Sequence, residues 1–273
     1  MDGGLTPRPP LGLLKAPTDM IELKTPEEIA RMRKAGAVVG KLLTALAGCV
    51  APGVKTKALD KAARDLIASM GAEPAFLGYR GFPATICVSV NEEVVHGIPG
   101  EREIRPGDLV SIDAGARVDG YYADAAITVA VGRVPQPVQR LIEVTKQSLA
   151  NAIEMAVPDN RLSDLSHAVQ ETVEGAGLSV VRDFVGHGIG RAIHEDPPIP
   201  NFGPPNRGPR LKPGMVLAIE PMVTVGGYEV EVLNDGWTAV TKDRSLAAHF
   251  EHTVAITPSG AEILTQDGQG RPD

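Results

Sequence analysis

The sequence predicts an α+β fold in which two similar halves of antiparallel sheet, each covered by helices, pack about a pseudo-twofold axis. Three observations lead there. An ordered series of residues recurs at a nearly constant offset along the chain. A long hairpin with an Asp-Gly turn lies in the first copy. A strong helix-start signal opens the folded region.

The helix start comes first. Ile21-Glu22-Leu23 precedes Thr25-Pro26-Glu27-Glu28. Thr25 fits an N-cap, Pro26 the first helical position, and the two acids the first turn. The helix then continues through Ile29, Met32 and Arg33 toward Leu46. Residues 1–19 contain Pro7, Pro9, Pro10 and Pro17 and read as a mobile tail. A single domain spans residues 20–260, and 261–273 form a C-terminal tail.

Within that domain, Ile104-Arg105-Pro106-Gly107 leads into a short apolar strand ending in Asp113. Leu211-Lys212-Pro213-Gly214 leads likewise into one ending in Glu220, at an offset of about 107 residues. Val50-Ala51-Pro52 matches Ala156-Val157-Pro158, Leu59 matches Leu165, and Gly71 matches Gly177, each one residue closer. Two copies of a helix, helix, strand, hairpin unit therefore run over about 26–131 and 137–258. Asp113 and Glu220 hold equivalent places, so both can point into one central cleft. Facing carboxylates are costly without a cation between them, and the pairing predicts a metal.

Leu109–Val118 and Tyr121–Val131 read as strands joined by Asp119-Gly120. Pairing Val118 with Tyr121 sets Asp113 opposite Ala126 and Asp124 opposite Gly115. Asp124 then shares the face of Asp113 on the diagonal, with Cα atoms roughly 7–8 Å apart. That spacing suits two carboxylates gripping a metal pair about 3.5–4 Å apart. Solvated acids on an exposed hairpin are the alternative, and the repeat weighs against it.

Phe184-Val185-Gly186-His187-Gly188-Ile189-Gly190 through His194-Glu195 is the densest motif. Its glycines allow close backbone approach, and the nearby acids favour His187 as a ligand or catalytic group. No βαβ context surrounds them, so a dinucleotide fingerprint is rejected. Near the C-terminus, His249-Phe250-Glu251-His252-Thr253 reads as a final strand with an acid inside apolar sequence. A buried glutamate needs a partner, and a cation is the simplest. Alternation puts His249 with Glu251 on one face and His252 on the other, where it is structural.

Bulk properties narrow the function. The chain has 273 residues, a formal net charge of −7, and no basic block suited to nucleic acid. No apolar run is long enough for a membrane helix, and the N-terminus lacks a signal-peptide profile, making the cytoplasm the default compartment. Cys49 and Cys87 make no disulfide framework.

Together these residues resemble the methionine aminopeptidase family, type I, of the pita-bread (creatinase/aminopeptidase) fold. The resemblance rests on Ser89–Pro99 with His96, Ile112-Asp113, Gly120–Asp124, Gly186–Glu195, Ile219-Glu220-Pro221 and Phe250–Thr253. It implies a metal set of Asp113, Asp124, His187, Glu220 and Glu251 holding two divalent ions (Co, Mn, Fe or Zn). Asp113 would bind through both oxygens, Asp124 and Glu251 would bridge, and His187 and Glu220 would complete the other site. It further implies His194 at the scissile peptide, His96 near the leaving amide, and Glu220 as proton shuttle. A methionine pocket of Phe76, Tyr79, Phe82, Cys87, Ile193 and Trp237 follows from the same resemblance. So do small second residues, nascent-polypeptide N-termini as substrates, transient ribosome contact and a monomer. Arg80, Phe82, Ala123 and His249 depart from the usual pattern, without removing a ligand. The competing expectations are a prolidase or proline-specific aminopeptidase of the same fold, which usually carries a large extra N-terminal domain, and a metal-free binding homologue.

Overall fold

The computed structural model describes residues 21–266. The tail expected over 1–19 lies outside them. Helix α1 (Pro26–Cys49) begins as its sequence requires. The Thr25 hydroxyl accepts from the Glu28 amide, and the Glu28 carboxylate accepts from the Thr25 amide. These reciprocal bonds satisfy two backbone donors that the first turn leaves free. Its buried residues Met32, Ala35, Val39, Leu42 and Leu46 recur every three or four positions and turn one face inward. Helices α2 (Thr56–Ser69), α3 (Gln136–Met155) and α4 (Leu162–Gly175) complete the two helical pairs. Among the described residues, no helix is long and apolar enough to cross a membrane.

Each pair covers its own half. Leu42, Leu46, Leu59 and Ile67 pack with Ile86, Val88, Val110 and Ile112. Leu141, Leu149, Leu165 and Val169 pack with Leu217, Ile219, Val254 and Ile256. The strands meet in one antiparallel sheet with the order Glu73–Pro74, Leu109–Val118, Tyr121–Ala130, Glu251–Thr257, Val216–Ile219, Gly186–Gly188, Glu195–Ile199. Ile86–Val90 also pairs with the first long strand, and Gly260–Ile263 with Glu251–Thr257. The halves thus join where Tyr121–Ala130 meets Glu251–Thr257, the axis that the repeat predicts.

The hairpin has the expected register, Asp113 opposite Ala126 and Gly115 opposite Asp124. Asp119 and Gly120 both have positive φ, 51° and 84°, which a two-residue turn of this hand requires. The second half differs from the first. Val216–Ile219 and Glu251–Thr257 are neighbours, but residues 220–250 leave the sheet between them. That excursion supplies strands to two three-stranded sheets, Ala247–His249 with Met222–Thr224 and Ser179–Val180, and Val230–Val232 with Ala239–Thr241 and Glu93–Val95. The chain also stays folded beyond residue 260, where a tail was expected. Gly260–Ile263 is a strand, Leu264 is buried, and the Thr253 carbonyl accepts from the Leu264 amide. Gly36 explains the fit: a Cβ there would lie 2.1 Å from the Leu264 carbonyl oxygen.

Candidate metal centre

The register of the sheet builds the site. Cys87 lies opposite Asp113, Asp113 opposite Ala126, and Ala126 opposite Glu251, so one row crosses four adjacent strands. Paired residues share a face, and this face looks away from the helices into the cleft. Asp124 lies two residues from Ala126 on that face. Its strand is locked to the partner half by Thr253. The Thr253 hydroxyl accepts from the Asp124 amide at 3.1 Å and donates to its carbonyl at 2.8 Å, with the Asp124 Oδ1 at 3.2 Å.

His187 enters from the second half, opposite Ala218, which in turn pairs with Thr253. Gly186 and Gly188 flank it because a Cβ on either would strike a backbone carbonyl, Ala218 at 2.4 Å or Asp196 at 2.2 Å. The ring is oriented by its Nδ1, 2.9 Å from the Gly188 carbonyl oxygen. With that nitrogen as donor, Nε2 presents a lone pair to the cleft. Nε2 lies 3.5 Å from Asp124 Oδ2 and 3.6 Å from Glu220 Oε1. Donor atoms of Asp124, His187 and Glu251 all lie within 4.8 Å of one another.

The electrostatics are those of a cation site. Burial is the first cause that pushes the carboxyls of Asp113, Glu220 and Glu251 well above their ordinary values, followed by repulsion from neighbouring acids. Asp124 is also raised by burial, with His187 and the Thr253 hydroxyl pulling the other way. Among the described residues, the ion pairs of these acids are with histidines alone. Buried Asp113 Oδ1 has no hydrogen-bond partner among them. Four clustered carboxylates, one of them with an orphaned oxygen, and an imidazole lone pair fit divalent cations in donor type.

An apolar wall adjoins the carboxylates. The same cavity is lined by Phe76, Tyr79, Phe82, Cys87, His96, His194 and Trp237 together with Asp113, Asp124, His187, Glu220 and Glu251. Phe82 meets the edge of Trp237 at 5.1 Å between ring centroids. His96 stands edge-on to Phe184 at 5.4 Å and to Trp237 at 6.4 Å. An edge of the His96 ring reaches the cleft, but protein surrounds the rest, and burial pushes its imidazole down to about 4. His194 sits at the mouth, stacked on Tyr79 and 4.2 Å from the His187 ring.

The structure therefore brings together the four acids and one imidazole expected to hold metal, both further histidines and five of the six pocket residues. Ile193 is the exception. It lies in the buried cluster against which Phe76 and Tyr79 pack, not among the residues lining the cavity. Of the unusual positions, Ala123 is on the helix-covered face, away from the carboxylates. Arg80 lies over the Tyr79 ring at 5.4 Å. Two participants that the sequence reading named were given no role by it. Thr253 holds Asp124, and a strand register between the halves would have shown it. His249 directs Nε2 at Glu220 Oε2 from 3.7 Å.

A family model described as metallopeptidase family M24 matches residues 30–258. The methionine aminopeptidase of Clostridium perfringens is 54% identical over 246 residues, which cover 90% of this chain and 99% of that protein. Methionine aminopeptidase 1 of Bacillus subtilis is 53% identical, covering 90% and 100%. The crystal structure of methionine aminopeptidase from Thermotoga maritima superposes with a TM-score of 0.89 at 49% identity, covering 90% of this chain and 100% of that one. The prolidase of Pyrococcus furiosus shares the fold at a TM-score of 0.72 and 26% identity, and the match spans 65% of it. The chain belongs to metallopeptidase family M24, in its methionine aminopeptidase branch.

Proposed function

We propose that this protein is a two-metal aminopeptidase that removes methionine from the N-termini of nascent polypeptides, preferring small second residues. The observation that carries this reading is the convergence of four buried or partly buried carboxylates and the His187 lone pair beside a cavity walled by Phe76, Phe82 and Trp237. Asp113, Asp124, His187, Glu220 and Glu251 would hold the two cations between them. A bound pair of Co, Mn, Fe or Zn ions supplies Lewis acidity and makes water nucleophilic near neutral pH.

The protein's own groups do the rest. The aromatic wall and the Cys87 thiol receive an unbranched thioether, a soft apolar side chain suited to such a pocket. The acidic floor attracts the substrate's free ammonium, which an internal peptide bond lacks, and so favours cleavage at the chain end. His194, at the mouth, donates to the scissile peptide. His96, kept neutral by its apolar surroundings, stands beside the leaving amide. Glu220 takes a proton from the attacking water and passes it to the departing amine. The products are free methionine and a shortened chain. The reading takes in a monomer acting in the cytoplasm, in transient contact with the ribosome.

The test is methionine release from a Met-Gly-Met peptide by chelated protein reconstituted with Co(II) or Mn(II). Peptides beginning with Leu, or with Pro second, run beside it, and Asp124→Ala is the control. Expected is cation-dependent release of methionine, lost in the variant and weak for Leu. Cleavage confined to the Pro peptide, without preference for methionine, would move the protein to the prolidase reading.

A further inference from the structure

His249 is the most buried imidazole at the cleft, 2% exposed against 8% for His187. It lies at the end of Ala247–His249, opposite Met222, where the chain passes from the small sheet into the large one. Its backbone is fixed on both sides by one hydroxyl. The His249 amide donates to Thr128 Oγ1 at 2.9 Å, and the same hydroxyl donates to the His249 carbonyl at 2.9 Å. Thr128 has a single hydroxyl proton, so Ser111, 2.8 Å away, is the donor in their contact. The following amide, Phe250, donates to the carbonyl of Pro221, and Asn201 donates to that of Glu220. Both His249 and Glu220 are thereby held by their main chains.

The two imidazoles bracket the Glu220 carboxylate, His187 Nε2 at Oε1 and His249 Nε2 at Oε2. They are not equivalent. His187 has committed Nδ1 to a carbonyl, which leaves Nε2 free to accept a cation. His249 Nε2 is buried and without a hydrogen-bond partner among the described residues. A buried polar atom in that condition is uncommon and needs a state in which it is satisfied.

We propose that His249 is a positioning residue whose Nε2–H donates to Glu220 Oε2, fixing the carboxylate so that Oε1 stays turned toward the cation beside His187. A shortening of about 0.8 Å from the observed separation brings the pair to ordinary hydrogen-bond length. The role is that of an outer partner which orients a ligand and tunes its affinity. It rests on the two-cation reading above.

The test compares wild type, His249→Gln and His249→Leu, each stripped by chelation. Mn(II) binding is followed by calorimetry, the Co(II) visible spectrum is recorded, and melting is followed with and without Mn(II). Leu replaces the ring with an apolar side chain of similar size and breaks no hydrogen bond of Nε2, so the metal-free melting temperature is expected to hold. Its affinity for one of two Mn(II) ions is expected to fall about 10–100-fold. Gln, whose amide can donate to Glu220, should recover most of that affinity. In the assay, kcat should fall in the Leu variant and return in Gln, with KM little changed. Should the Leu variant melt early without metal, His249→Asn replaces it, being polar but too short to reach. Wild-type Mn(II) affinity in the Leu variant overturns the role of His249 and leaves the two-cation reading standing. Equal losses in Leu and Gln with an altered Co(II) spectrum also overturn it, since the imidazole would then be a ligand itself. No Mn(II) binding by wild type overturns both.

Discussion

Glu251→Gln should stabilise the metal-free protein while abolishing its activity. Glu251 is 3% exposed and has donor atoms within 4.8 Å of those of Asp124. Two ionised carboxylates at that distance repel by about 3.5 kcal/mol at an effective dielectric of about 20. The metal-free protein escapes part of this by retaining protons, in line with the raised carboxyls. The gain from the neutral amide is therefore small only below about pH 4.3, where Glu251 is protonated in the folded and unfolded chains alike. It grows by about 1.4 kcal/mol per pH unit while the folded acid keeps a proton that the unfolded chain has lost, and it levels off at that ceiling once Glu251 ionises in the fold. At pH 8 to 8.5 a gain of about 1–3 kcal/mol is expected, or about 2–4 °C in Tm for each kcal/mol. Urea unfolding in chelator at about pH 4.3 and at pH 8.5 reads the difference, and methionine release with Mn(II) reads the loss of function. A variant less stable than wild type at both pH values, or a difference that ignores pH, would refute the reasoning. Glu251 would then be a structural hydrogen-bonding residue rather than one of several crowded acids.

Two further outcomes follow from the same geometry. Thr253→Val keeps the side-chain shape but leaves the buried Asp124 amide without its acceptor. It should cost about 1–3 kcal/mol and weaken Mn(II) binding, whereas Thr253→Ser should lose only about 0.8 kcal/mol for its methyl group. Equal unfolding midpoints for the two would remove Thr253 from the support of Asp124. The chelated wild type should also lose stability as pH rises above the ordinary carboxyl range of about 4 to 4.5, for as long as the folded acids keep their protons. Carboxyls raised in the fold bind more protons there than in the unfolded chain, so each excess proton makes stability fall by about 1.4 kcal/mol per pH unit. Burial holds the imidazoles of His96 and His249 down to about 4 and about 3, and their contribution has the opposite sign, lost as pH falls below about 6.5. The alkaline limb therefore isolates the acids. Saturating Mn(II) should flatten it, and an unchanged slope on Mn(II) addition would place the protons elsewhere.

What could be read from sequence was whatever one strand or one turn decides. The Asp119-Gly120 turn fixes a register, and the register alone puts Asp113 and Asp124 on one face at the observed diagonal. The repeat adds Glu220, because equivalent strand ends converge on the axis where the halves join. Alternation turns His249 and Glu251 toward the same acids and Phe250 away from them, but it does not show that the chain changes sheets there. His249 and Glu251 read as neighbours on one strand face, yet Ala247–His249 belongs to the small sheet and Glu251–Thr257 to the large one. Phe250, between them, turns into the core of the second half. Period-two alternation follows the pleat of one strand and carries no information about a bend that passes the chain to another sheet. The same bend gives His249 its place: it brings a second imidazole to Glu220 from a strand that the repeat does not contain. The first half closes its hairpin with two residues. The second replaces that turn with residues 220–250, which also carry Trp237 to the aromatic wall. The metal donors that lie on the repeated strands are thus shared between two similar halves, and what distinguishes one side of the cleft from the other enters where the symmetry is broken.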